Sequence, residues 1–411
     1  MIDIKLLREN PEKVKTACKN KQVKVDIDKI LKLDEKRREL IRPIEILRAE
    51  LNKISKNKPD QRTITLAQAK KKSIFKKEAE FKKTETEFNE LFLQIPNIPL
   101  DDVPIGKDES GNVVIKEMGK KPNFGFLPKS YLDLAEKLDI IDVKRAAKVS
   151  GTRFGYLKGG AVLLEFGLIQ LAFDVLLKEG FIPVIPPVMI KTEMMKGMGY
   201  VERGGEEIYY LPKDNLCLVG TSEQSIGPMH ADEIFEEKEL PKRYIAFSPC
   251  FRREAGSYGK DTKGIFRVHQ FYKVEMFSFC HPNQSKQEHQ FFLKMEEKLM
   301  RLLKLPHRVV QMCTGDLGDP AAAKYDIEAW LPSENRYRET HSTSNCTDFQ
   351  ARRLNIRYKA KDGKLNFVHT LNGTAFATGR MIIAIIENYQ QKDGSMKIPE
   401  VLQKYTKIKK I

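Results

Sequence analysis

No Cys-x-x-Cys pair occurs in this sequence. Its six cysteines, Cys18, Cys217, Cys250, Cys280, Cys313 and Cys346, stand at least 30 residues apart. That spacing gives no support to a zinc site and suits a reduced, intracellular chain. Long apolar runs are scarce too, and no segment approaches the roughly 20 apolar residues of a membrane span. The opening residues, MIDIKLLRENPEKVK, lack a signal peptide's apolar run, and their acids argue against a transit peptide. A soluble, cytoplasmic protein is expected. Two common phosphate cradles, G-x-G-x-x-G after a strand and G-x-x-x-x-G-K-[ST], are missing. Acids are in short supply: 56 against 72 Lys and Arg in 411 residues, a formal charge of +16. Such an excess suits a polyanionic partner, unless a lysine-rich composition raises charge everywhere, so its placement decides.

What is present falls into two regimes. From about residue 28 to 57 the chain reads as one long helix. Ile30, Leu33, Leu40, Ile44, Leu47, Leu51 and Ile54 form a heptad seam broken only by Arg37. Pro43 predicts a bend there and not an end. KNKPDQRT (56–63) makes a turn, and a second helix is expected from about Ile64 to Leu93. The pair would be an antiparallel hairpin, a rod about 45 Å long. QIPNIPLDDVPIG (94–106) reads as a linker, dividing a domain at 1–105 from a second at 106–411.

The hairpin gathers the charge. Residues 52–83 hold eleven cations against three acids, a net +8, half the chain's excess. A solvated coiled-coil surface usually mixes both signs, so this tip favours a phosphate backbone, with a protein partner as the other reading. Lys70, Lys71, Lys72, Lys76 and Lys77 are its centre, and the lysines are read as lacking interleaved aromatics.

Beyond residue 107 the pattern becomes short apolar runs divided by turns and helices, without regular strand-helix alternation. An α+β fold follows, a largely antiparallel sheet flanked by helices. Its richest stretch is PCFRREAGSYGKDTKGIFRVHQFYKVE (249–275). Read as a hairpin, it places Arg252 and Glu254 on one strand face, and Phe271, Lys273 and Glu275 on the same wall. Arg267 and His269 join them if no bulge intervenes. Cations, an aromatic plate and a carboxylate together suit a nucleotide and an ammonium group.

This stretch closely resembles motif 2 of the class II aminoacyl-tRNA synthetases, in the form seen in seryl-tRNA synthetases. LKEGFIPVIPP (177–187) resembles motif 1, and TLNGTAFATGRMIIAIIENYQ (370–390) resembles motif 3. GTSEQ, YRETHSTSN and the basic helical arm are also similar to the seryl enzymes. The resemblance implies an arm plus a class II catalytic domain, a homodimer, and ATP-dependent transfer of L-serine to tRNA(Ser). It leaves open whether tRNA(Sec) is charged as well. Arg252, Glu254, Arg267 and Arg380 are the implied catalytic set. ATP contacts fall on Arg252, Arg253, Glu254, Arg267, Val268, Phe271, Glu339, Thr340, His341, Ser342 and Arg380. Phe271 and Arg380 would sandwich the purine. Glu339 and Ser342 would hold Mg²⁺, and no zinc is expected. Serine contacts fall on Thr221, Ser222, Glu223, Arg252, Glu275, Asn372 and Thr374. His341 is read as structural, because a carboxylate nucleophile needs no base. A carrier-protein ligase and a catalytically retired tRNA-binding relative are the alternatives.

Overall fold

The computed structural model describes residues 1–55, 60–256, 259 and 261–411, and the chain divides into two compact units, Met1–Pro96 and Asn97–Ile411. Lys56 and Lys58 of the basic tip, and most of the turn that begins there, lie outside the described residues.

In the first unit the heptad seam builds the helix α1 (Ile27–Ile54), capped by Asp26, whose side chain accepts from the Lys29 amide. It runs uninterrupted past Pro43. The helix α2 (Gln61–Phe92) starts at Asp60, which caps the Thr63 amide. Ile30, Leu40 and Ile44 are buried with Ile74 and Phe88 of α2. Lys29–Glu87, Lys36–Glu80 and Arg48–Glu78 cross between the helices at 2.7, 2.9 and 2.5 Å. Those pairs run in opposite directions along the two helices, the antiparallel hairpin that the seam implies. Arg37, the break in the seam, lies with its guanidinium 4.5 Å from the Phe88 ring centroid.

Asp34 is a fully buried charge of this unit. Arg8 grips both its oxygens at 2.7 and 2.8 Å, and Arg37 and Arg38 add contacts at 3.2 and 3.1 Å. Burial works against its ionisation, but the guanidinium groups win and hold the carboxyl below the usual Asp value. A depressed folded value means the contribution is present above the unfolded pKa and lost as pH falls through the folded one. Asp34→Asn should cost the first unit about 2 kcal/mol, less than a fully buried pair because Arg8 and Arg38 stay partly exposed. Hydrogen exchange of the α1 amides in the full chain would measure it.

The second unit is built on an eight-stranded sheet. Its strands are β1 (Val113–Met118), β2 (Ile182–Val184), β3 (Lys242–Phe251), β4 (Gln270–Cys280), β5 (His307–Gln311), β6 (Ala323–Leu331), β7 (Arg336–Asn345) and β8 (His369–Ala377). They lie in the order β1-β5-β6-β7-β8-β4-β3-β2, antiparallel throughout except for the β2–β3 pair. Among the helices packed against it are α3 (Gly160–Leu176), α4 (Ser285–Leu302) and α5 (Thr378–Asn388). Residues 97–105, assigned to the first domain on sequence, make contacts within this unit: the Asn97 amide donates to Asp319 and that of Leu100 to Ala322. All six cysteines are buried.

One sequence expectation needs correction. Gly160–Glu179 is long and apolar enough to cross a membrane by composition. Its apolarity has a local reason, since Leu164, Leu168, Leu171 and Ala172 are buried in the main core with Leu402 and the α5 isoleucines. It is a core helix.

Candidate active site

The β3–β4 pair fixes the site. Its register runs from Lys242 opposite Phe279 to Phe251 opposite Gln270. Alternation was expected to bring Arg252 and Glu254 to one strand face, but β3 ends at Phe251. Their placement comes from a turn. The Arg252 amide donates to His269 O at 3.0 Å and the Arg253 amide to Glu207 O at 2.9 Å, while Glu254 takes the left-handed conformation, φ 52°. Arg267 and His269 likewise precede β4 and owe nothing to its pleat. Ser257, Tyr258 and Lys260 of the intervening loop lie outside the described residues.

Two adjoining cavities share these side chains. The larger, about 670 Å³, is lined by Arg252, Glu254, Arg267 and Lys273 together with Thr221, Glu223, Glu339, Ser342 and Asn372. A slot of about 70 Å³ adds Val268, Phe271, Thr374 and Arg380 to that set. Arg252 donates through Nε to Gly220 O at 3.1 Å, and its guanidinium lies 5.3 Å from the Phe271 ring centroid. Arg267 reaches Glu254 at 3.3 Å and Asp261 at 3.4 Å. Arg380 lies 4.9 Å from the Phe266 ring centroid and pairs with Glu339 at 3.2 Å. Phe271 and Arg380 thus share a slot, but here the cation over Phe271 is Arg252. Arg253 turns away and covers Tyr209 at 5.3 Å.

The acidic end is deeper. Glu275 is 1% exposed, and Lys273 Nζ lies 2.6 Å from its Oε2 while also donating to Thr221 Oγ1 at 3.2 Å. The Glu275 contact is too poorly aligned for a hydrogen bond, so the attraction is one of charge. Burial, against the pull of Lys273 and with Glu223 nearby, raises the Glu275 carboxyl to about 7. Glu223 is raised too, chiefly by burial, while Tyr200 and Lys273 pull it back. Ser222 differs from its neighbours: its hydroxyl bonds Ser248 Oγ at 2.8 Å, inside the sheet. Asn372 and Thr374 stand on β8, Thr374 directly opposite Glu275.

His341 is 1% exposed, bonded through Nδ1 to Thr340 Oγ1 at 2.8 Å, and burial lowers its pKa to about 3. The ring is neutral near pH 7 and lines the small slot. Thr340 also donates to Ile327 O, so its side chain serves the strand pair. Glu339 meets a burial penalty, yet Arg380, Lys324 and Arg252 hold its carboxyl well below the usual range. Asp326, opposite Ser342 across β6–β7, is buried, and its Oδ1 lacks an aligned hydrogen bond although Lys324 Nζ is 3.4 Å away. The described residues hold no cluster of three or more His, Cys, Asp and Glu suited to a metal. Glu339, Ser342 and Asp326 offer oxygen donors only, which fits a magnesium ion that keeps most ligands from water and phosphate.

Tyr200, Lys324, Asp326 and Gln350 were not legible as site residues. Tyr200 and Gln350 stand on separate elements, Lys324 and Asp326 share β6, and no local period or motif marks any of them.

Two family models match the chain: "Seryl-tRNA synthetase N-terminal domain" over residues 1–99, and "tRNA synthetase class II core domain (G, H, P, S and T)" over 209–389. A serine--tRNA ligase of Dictyoglomus turgidum is 46% identical, covering 100% of this chain and 99% of its own. That of Thermobifida fusca is 47% identical, with 98% and 97% covered. The crystal structure of seryl-tRNA synthetase from Pyrococcus horikoshii complexed with ATP superposes with a TM-score of 0.92 at 43% identity, covering 100% of this chain and 99% of that one. The cytoplasmic serine-tRNA ligase of Naegleria fowleri in complex with AMP gives 0.89 at 35%, over 100% and 98%.

Proposed function

The chain belongs to the seryl-tRNA synthetase family of class II aminoacyl-tRNA synthetases, and from that premise we propose how its own residues ligate L-serine to tRNA at the expense of ATP. A serine carboxylate oxygen attacks the α-phosphorus, the bond to the bridging oxygen breaks, and pyrophosphate leaves. A terminal ribose hydroxyl of tRNA then attacks the seryl carbonyl, and AMP leaves. The nucleophile of the first step is already an anion, so the barrier is charge repulsion and alignment. Arg252 stands between the two ends of the cleft and bridges carboxylate and α-phosphate with its planar fork. Arg267 takes the outer phosphates, Glu254 the adenine amino group, and Phe271 and Arg380 the purine faces. Thr221, Glu223 and Glu275 receive the serine ammonium, while Asn372 and Thr374 face its hydroxyl. Glu339 and Ser342 would hold Mg²⁺, which neutralises phosphate charge when bound.

One observation carries this reading: a single cleft joins a cationic end, with Arg252 and Arg267, to the acidic end at Glu223, backed by Glu275. ATP–pyrophosphate exchange across the twenty amino acids tests it. Exchange dependent on serine alone supports it; no exchange with retained tRNA binding favours the retired relative.

We further assign the first unit to tRNA binding and the second to catalysis, with residues 97–105, placed in the first domain on sequence, going with the unit they contact. Lys71, Lys72 and Lys76 are exposed on α2, but Lys70 is engaged by Glu50 at 2.5 Å, which spends its charge within the hairpin. Contrary to the expectation of lysines lacking interleaved aromatics, Phe75 lies among them, 76% exposed. Lys71→Ala combined with Lys72→Ala should raise the KM for tRNA about tenfold and flatten its salt dependence, sparing exchange. Lys70→Ala should do less. Charging assays at several salt concentrations distinguish these outcomes.

The same reading makes the protein a cytoplasmic homodimer. Phe166, Ile182, Ile185 and Met189 form an exposed apolar set in and around motif 1, 46–82% exposed, that a second copy would cover.

A further inference from the structure

Glu223 is held by two residues that no motif announced. Tyr200 Oη donates to its Oε1 at 2.6 Å, and Gln350 Nε2 approaches the same oxygen at 3.5 Å. Gln350 is itself fixed, its Oε1 accepting from Thr370 Oγ1 at 2.7 Å. Burial, then the charge of Glu223, pushes the Tyr200 phenol well above its ordinary value, so it remains a neutral donor.

The backbone commits Tyr200 to this position. The preceding Gly199 has φ +84°, and a Cβ there would meet the Phe349 ring at 2.7 Å. Only glycine satisfies both conditions. After Tyr200 the chain is pinned again: Glu202 accepts from the largely buried Arg353 at 3.0 Å, and Arg203 pairs with Asp319. Gly199, Tyr200, Glu223 and Asn372 line one cleft. These anchors fix the backbone on either side of Tyr200, and Glu223 cannot turn without losing its short bond to the phenol.

We propose that Tyr200 is a positioning residue that sets the affinity for the amino-acid substrate. By occupying one oxygen of Glu223 it fixes the carboxylate's rotamer and leaves the other oxygen to the substrate's polar hydrogens. A pre-aimed acceptor binds a matching donor without ordering cost, and a misaligned one loses that advantage. The inference rests on reading the Thr221–Glu223 end of the cleft as the serine subsite.

Tyr200→Phe keeps the ring and removes only the donor. In exchange assays on the full chain, the KM for serine should rise about tenfold, the worth of one charge-assisted hydrogen bond, while kcat and the KM for ATP stay within about twofold. An unchanged KM for serine overturns the proposal. So does a loss shared equally between serine and ATP, which would mark a merely structural tyrosine. Wild-type protein that shows no serine-dependent exchange would overturn the subsite reading itself, a result distinct from either.

Discussion

Arg252→Ala should lower serine-dependent ATP–pyrophosphate exchange by about three orders of magnitude, at the upper end for removing one charge-stabilising donor group. The fold should barely notice. Among the described residues the Arg252 side chain makes a hydrogen bond to Gly220 O and a ring contact with Phe271. Their loss costs about 1 kcal/mol. Chemistry and stability therefore separate, and thermal melting beside exchange kinetics would display the separation. Arg252→Lys sharpens the test: it keeps the charge but not the flat fork, so a bidentate role predicts recovery of only a small part of the rate. A lysine variant close to wild type would show that Arg252 supplies charge alone. An alanine variant with substantial exchange would remove it from the reacting centre.

How far the sequence reached depends on whether a feature obeys a short period. The α1 seam is periodic, so its buried stripe, its antiparallel partner and even the tolerance of Pro43 were readable. The β3–β4 pair was readable for the same reason, and so was the shared face of Phe271 and Lys273. Arg252 and Glu254 were named correctly as neighbours for the wrong reason. Strand alternation was assumed, whereas a turn pinned by the Glu207 and His269 carbonyls brings them together. Such a turn depends on residues tens of positions away, invisible to any local window. The same limit hid Tyr200 and Gln350, which meet at Glu223 from opposite sides in sequence. It also hid the Asp34 cluster, since Arg8 lies 26 residues from its partner. The resemblance supplied residue roles that geometry alone would have left open, but not the pairing of Lys273 with Glu275.

That pairing sets the second large expectation. Glu275 is raised to about 7 by burial, so near neutral pH the free protein holds a mixture of its charged and protonated forms. Only the carboxylate attracts an ammonium group. The kcat/KM for serine should therefore fall as pH drops below about 7, because the raised group gains its proton there. Asp326 and Glu165 are raised to a similar range, so the wild-type profile alone does not assign the limb. Glu275→Gln does. The amide keeps the shape, cannot ionise, and leaves Lys273 facing the incoming ammonium with no compensating charge. Its KM for serine should rise about 10²- to 10³-fold, the scale of removing one partner from a buried charge contact. The acid limb should vanish from the residual activity, while ATP affinity changes little. A glutamine variant that retained the limb would move it to Asp326 or Glu165. One that retained serine affinity would mean that Lys273, and not substrate, is the only cation Glu275 serves.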